Sequence, residues 1–212
     1  MYSTAPLPLQ HPYQGVIFQV MNTTSFRSFG LGVMLSAFLF LTALLANELI
    51  FPGLAFITGV NWIYLPAGIR LLCTLLFAEA GAVGLFIASW LACFLYFFPD
   101  DLIRSVAGAV IAALAPYLSY LFVERRYGLA TSLKGLSGLR LLTAAVLYAF
   151  AGSSLHHFWF WLSRDGHASP ESWCVMFIGD LSGTLIVLYF CRLLIALFRR
   201  VPGAERGRPK GY

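Results

Sequence analysis

Charge is what this chain has least of: Asp, Glu, Lys and Arg together make up 11% of its 212 residues, against 59% apolar residues. A soluble domain carries about 25% charged residues, so this sequence cannot build a water-soluble surface. Cysteine is also sparse. Cys73, Cys93, Cys174 and Cys191 stand singly, with no CxxC pair, which argues against a disulfide framework and against a thiolate metal site. No Walker-type phosphate loop occurs, and the glycine-containing stretch Gly30–Val33 opens an apolar run instead of following a strand. A cleavable leader is not expected, because the residues before the first apolar run carry Arg27 as their one charge and lead into a full-length span.

What remains is a series of long apolar runs, with a mean hydropathy of +0.79. Read at about 20 residues per crossing, they fall near 31–50, 54–77, 80–98, 102–123, 139–162 and 173–198. This predicts an all-α integral membrane protein of about six transmembrane helices. Gly59, Asn61, Pro66, Gly68 and Arg70 interrupt the second run, so that span is expected to be broken or kinked, with its irregular backbone shielded by protein or water. Pro6, Pro8 and Pro12 predict a mostly irregular, partly interfacial segment over residues 1–28. A multi-span domain follows over 29–198, then a basic tail over 199–212.

The net charge of +5 does not point to nucleic acid, because most basic residues flank apolar runs. Arg125, Arg126, Lys134 and Arg140 crowd one loop, and Arg199, Arg200, Arg206, Arg208 and Lys210 crowd the tail, whereas Arg104 and Arg164 stand alone on the opposite side. Lys and Arg concentrate on the cytoplasmic side. With an even number of spans, both termini are expected inside. Trp62, Tyr64, Trp159, Trp161 and Trp173 sit near proposed span ends, where an aromatic belt would form.

Charges inside the spans are the candidates for chemistry. Arg70 and Asp180 are expected at similar depth, with Asp180 about 10 Å below the outer interface at roughly 1.5 Å per residue. They can form a structural ion pair between two helices or bind a polar ligand or ion in an outward-facing cavity. Glu48 can join either arrangement from the outer end of the first span. Adjacent His156 and His157 point about 100° apart on a helix, so they are read as hydrogen-bonding residues and no metal site is expected. Ser153, Ser154 and Ser182 have no base and acid at supporting spacing, which favours helix packing over nucleophilic catalysis. Gly179 and Gly183 form a small-xxx-small pair suited to close helix approach.

Two segments carry a family resemblance. LPAGIRLLCTLLF at Leu65–Phe77, with Pro66, Ala67 and Gly68 at its head, resembles the proline-alanine-glycine segment of the MASE1 family of bacterial membrane-associated sensor domains. FIGDLSGTLIVLY at Phe177–Tyr189, with Gly179, Asp180 and Gly183, is similar to that family's late span. The resemblance implies a multi-span input module of a bacterial cytoplasmic membrane, commonly joined to a diguanylate cyclase, phosphodiesterase or histidine kinase output domain. No such domain stands in this sequence. The function expected is therefore a noncatalytic sensory or regulatory subunit, without a cofactor, that contacts the bilayer and a separate membrane or cytoplasmic protein. A small-solute transporter or transport-complex subunit is the alternative, since a broken span and buried charges also mark solute pathways. An intramembrane enzyme ranks third.

Overall fold

The computed structural model describes residues 13–128, 137–164 and 168–200; Lys134, His167, the three amino-terminal prolines and the tail residues Arg206, Arg208 and Lys210 lie outside them. Among the described residues, five helices are long and apolar enough to cross a membrane. They are α1 (Tyr13–Ile50), α2 (Leu65–Ala92, continued by a π-helical turn at Cys93–Phe97), α3 (Leu102–Tyr127), α4 (Gly138–Leu162) and α5 (Pro170–Arg200). Leu31, Met34, Phe38, Ile103, Leu139, Phe158, Tyr189 and many other large apolar side chains face outward. That is the surface expected of a protein solvated by lipid.

The amino-terminal region differs from expectation. Helix α1 begins at Tyr13 instead of near residue 29, because Pro12 is the last proline there and from Tyr13 onward every residue can donate its backbone N–H. At its other end α1 stops at Ile50, and Pro52 and Gly53 turn the chain, Gly53 with φ 83°. The following stretch, expected as the start of an apolar span, is a short antiparallel hairpin of β1 (Ala55–Ile57) and β2 (Val60–Asn61). Gly59 turns it at φ 82°, a conformation costly for residues with a Cβ. Val60 packs with Phe160, Val175 and Met176, so the hairpin is anchored on α4 and α5.

Helix α2 starts without a side-chain cap of its own. Asn47 of α1 supplies one across the fold, its Oδ1 accepting from the Leu65 N–H at 2.9 Å. Pro66 sits in the first turn, where the missing N–H has no helical acceptor to lose. Helical geometry then fails at Ala78, with φ 48° and ψ −118°, and the chain reverses. A β-carbon on Gly81 would overlap the carbonyl of Cys73, although eight residues of straight helix would hold those positions about 12 Å apart. Both arms lie along α1. Its Gly32 meets Phe77 and Ala80 at the reversal, while Tyr96 near the end of the second arm donates its hydroxyl to Glu48 at 3.2 Å. The boundary read from sequence between Phe77 and Ala80 coincides with this reversal, and Glu79 lies beside it, exposed.

The later helices follow the sequence closely. Asp101 caps α3 through its carboxylate, which accepts from the Arg104 N–H at 2.9 Å, and Gly128 ends it in the left-handed conformation at φ 63°. Pro116 lies inside α3, which continues through it. Phe40 and Leu44 of α1, Leu71 and Leu85 of α2, Ala115 of α3 and Tyr148 of α4 share one buried cluster.

Candidate ligand site between the folded helix and the last helix

The site is founded on a seam of glycines. Gly179 faces the carbonyl of Asn61 and Gly183 faces that of Tyr64, each so closely that a β-carbon would overlap the oxygen. A β-carbon on Gly68 would in turn stand 2.6 Å from Val187 Cβ. Omitting three side chains lets the head of α2 and the strand leading into it lie directly on α5, the way small residues bring membrane helices together. The Tyr64 N–H also donates to the Gly179 carbonyl at 3.1 Å. The two segments singled out in the sequence, Leu65–Phe77 and Phe177–Tyr189, therefore pack against each other.

That packing sets Arg70 and Asp180 on the wall of one cavity of about 60 Å³. Tyr64, Cys93, Arg104 and His156 also line it, and the β-hairpin closes one side with Thr58 and Gly59. Arg70 is 8% exposed and Asp180 7%. The guanidinium of Arg70 lies 4.8 Å from the ring centroid of Phe40 and 5.4 Å from that of Tyr64, and it contacts the Tyr148 hydroxyl. Its Nε has no hydrogen-bond partner among the described residues. Asp180 feels the guanidinium electrostatically, yet no ion pair or hydrogen bond joins its carboxylate to a protein group among the described residues. Gly152 makes room for that carboxylate: a β-carbon there would lie 3.3 Å from Oδ2.

Of the other sequence candidates, His156 shares the cavity wall, whereas Glu48 and His157 sit elsewhere. Glu48 is exposed at the carboxyl end of α1, bonded by Tyr96 and outside the cavity wall. His157 Nδ1 lies 2.9 Å from the Ser153 carbonyl, and its Nε2 lies 3.1 Å from Ser172 Oγ. A carbonyl can only accept, so Nδ1 carries the proton and Nε2 accepts from Ser172, a bridge from α4 to α5. His156 likewise donates from Nδ1 to the Gly152 carbonyl at 2.9 Å. No group of three His, Cys, Asp or Glu residues suited to a metal ion occurs among the described residues.

Four residues that the sequence did not single out shape the site: Asn47, Tyr64 as a cavity wall, Tyr148 and Gly152. Tyr148, 1% exposed, offered one signal, a hydroxyl in mid-span that must find a polar partner. Gly152 and Asn47 offered none, since their roles depend on groups far away in sequence.

Among the described residues, five long apolar helices around a partly open cavity lined by Arg70 and Asp180 define a multi-pass membrane protein with a polar site among its helices. The MASE1 family model matches residues 35–207, most of the chain. The chain belongs to the MASE1 family of membrane-associated sensor domains. No curated protein and no solved structure matches it significantly.

Proposed function

We propose that this chain is a noncatalytic sensory or regulatory membrane subunit whose outer half receives a small ligand and whose cytoplasmic face contacts a separate protein. The observation that carries the reading is the cavity itself, where two nearly buried opposite charges face the same space without an ion pair. Isolated charge inside a membrane is costly and tends to mark a functional site. Membership in a sensor family supports regulation over transport.

The proposed topology has six crossings, counting the two arms of α2 separately. The first arm, residues 65–77, is only about 20 Å long at 1.5 Å per residue, short of a hydrocarbon core of about 30 Å. The β-hairpin and the cavity beneath it fill the missing outer depth, shielded from lipid by α4 and α5 as irregular backbone requires. The reversal at Ala78 lies toward Glu124 of α3, since Glu79 and Glu124 both act on Tyr120. Arg125 and Arg126 follow at that end, so the positive-inside rule makes it cytoplasmic and puts both termini inside.

Sealed cells carrying a single Cys at Ala204 test this arrangement. An impermeant thiol reagent is expected to label it only after permeabilisation, and labelling of intact cells overturns the orientation. Co-purification from native membranes, set beside flux in proteoliposomes, separates regulation from transport. Saturable solute flux by the chain alone contradicts the regulatory reading.

A further inference from the structure

We infer that the cavity takes a small zwitterion, an amino acid of glycine size held between two poles of opposite charge. This rests on the sensory reading above and names the ligand class for the same site.

Charge comes first. Arg70 is more than nine-tenths buried, and its Nε lacks an acceptor. A guanidinium carries five N–H donors, more than the Tyr148 hydroxyl can satisfy. Asp180 is equally buried and has no donor from the protein among the described residues. A lone anion would satisfy Arg70 but confront Asp180. A lone cation would satisfy Asp180 but confront Arg70 on the same wall. A ligand with a carboxylate at one end and an ammonium at the other meets both poles.

Hydrogen bonding comes second. With its Nδ1 proton committed to the Gly152 carbonyl, neutral His156 presents Nε2 as an acceptor. Its ring lines the cavity with Asp180. Two acceptors thus accompany each other on the α4 and α5 side, where an ammonium would sit, while the guanidinium donors of Arg70 come from α2.

Size comes third. About 60 Å³, at roughly 10–15 Å³ per water-sized group, holds on the order of four or five such groups. Glycine and alanine are of this size. Nucleotides, sugars and quinones are not.

Calorimetry on the purified full-length chain in detergent, with glycine, acetate and methylammonium as probes, tests the inference. Glycine is expected to bind at least tenfold more tightly than either single-charge probe. Asp180→Asn is expected to weaken glycine at least tenfold while leaving acetate unchanged or tighter, and retained acetate binding reports that the variant is folded. Equal affinity for glycine and acetate, binding of none of the three, or undiminished glycine binding by the variant overturns the zwitterion. Protection of Cys93 from a small thiol reagent keeps the two levels apart. Protection by acetate but not glycine sinks the zwitterion and leaves the sensory pocket standing. A Cys93 that none of the probes protects and that reacts from neither side removes the pocket as well.

Discussion

The carbonyl oxygen of Tyr64 lies so close to the α-carbon of Gly183 that a β-carbon on residue 183 would overlap it. Tyr64 lines the cavity and precedes the first turn of α2, while Gly183 is one turn beyond Asp180 on α5. One contact thus fixes how the Arg70 helix and the Asp180 helix face each other. Gly183→Val is expected to lower stability in detergent by about 1–3 kcal/mol or more, the usual cost of overpacking. Gly30 supplies the control, because a β-carbon there would meet nothing within 4 Å. Gly30→Ala should leave the melting temperature nearly unchanged.

The cross-fold cap from Asn47 gives a second expectation. Its Oδ1 satisfies the Leu65 N–H at 2.9 Å, and loss of a helix cap costs about 1 kcal/mol. Asn47→Ala should therefore destabilise by about that amount, whereas Asn47→Asp keeps the acceptor but puts a charge at a position only 3% exposed, and should lose at least as much. Thermal unfolding of the two variants side by side makes the comparison.

Ala78 holds φ 48° without being glycine. A non-glycine residue in such a conformation carries on the order of 1 kcal/mol of strain or more, which Ala78→Gly removes from the folded state. Ala78→Val should be worse than wild type, because β-branching tightens the clash. If Ala78→Gly instead melts markedly lower, the helix is not reversing there.

The fold was legible where apolar runs meet punctuation. Pro99, Asp100 and Asp101 mark the turn before α3, and Phe77 to Ala80 marks the reversal in α2. The hairpin was not legible, since Phe56, Ile57 and Val60 read equally well as helix until Gly59 is known to adopt φ 82°. Of the site, Arg70 and Asp180 stood out because charge in an apolar run is conspicuous. Tyr148 and Gly152 did not, because they reach the two charges from another helix. The early start of α1 was hidden by its prolines, which bar a helix only as far as Pro12 and place no limit on the residues beyond it.

Arg70 and Asp180 share a cavity, and removing one leaves the other charge less compensated. Arg70→Ala and Asp180→Ala should each reduce detergent stability, with the double variant less damaged than the sum by about 1 kcal/mol. Strictly additive losses would show that the two charges act independently.

Whether the cavity opens to the outside alone is the central question, and Cys93 on its wall can answer it. In a chain with Cys73, Cys174 and Cys191 replaced by serine, an impermeant methanethiosulfonate should modify Cys93 in sealed cells and fail to do so in inside-out vesicles. A sensor that receives its ligand from outside requires that asymmetry. Modification from the cytoplasmic face, or equally from both faces as a solute pathway would allow, contradicts it.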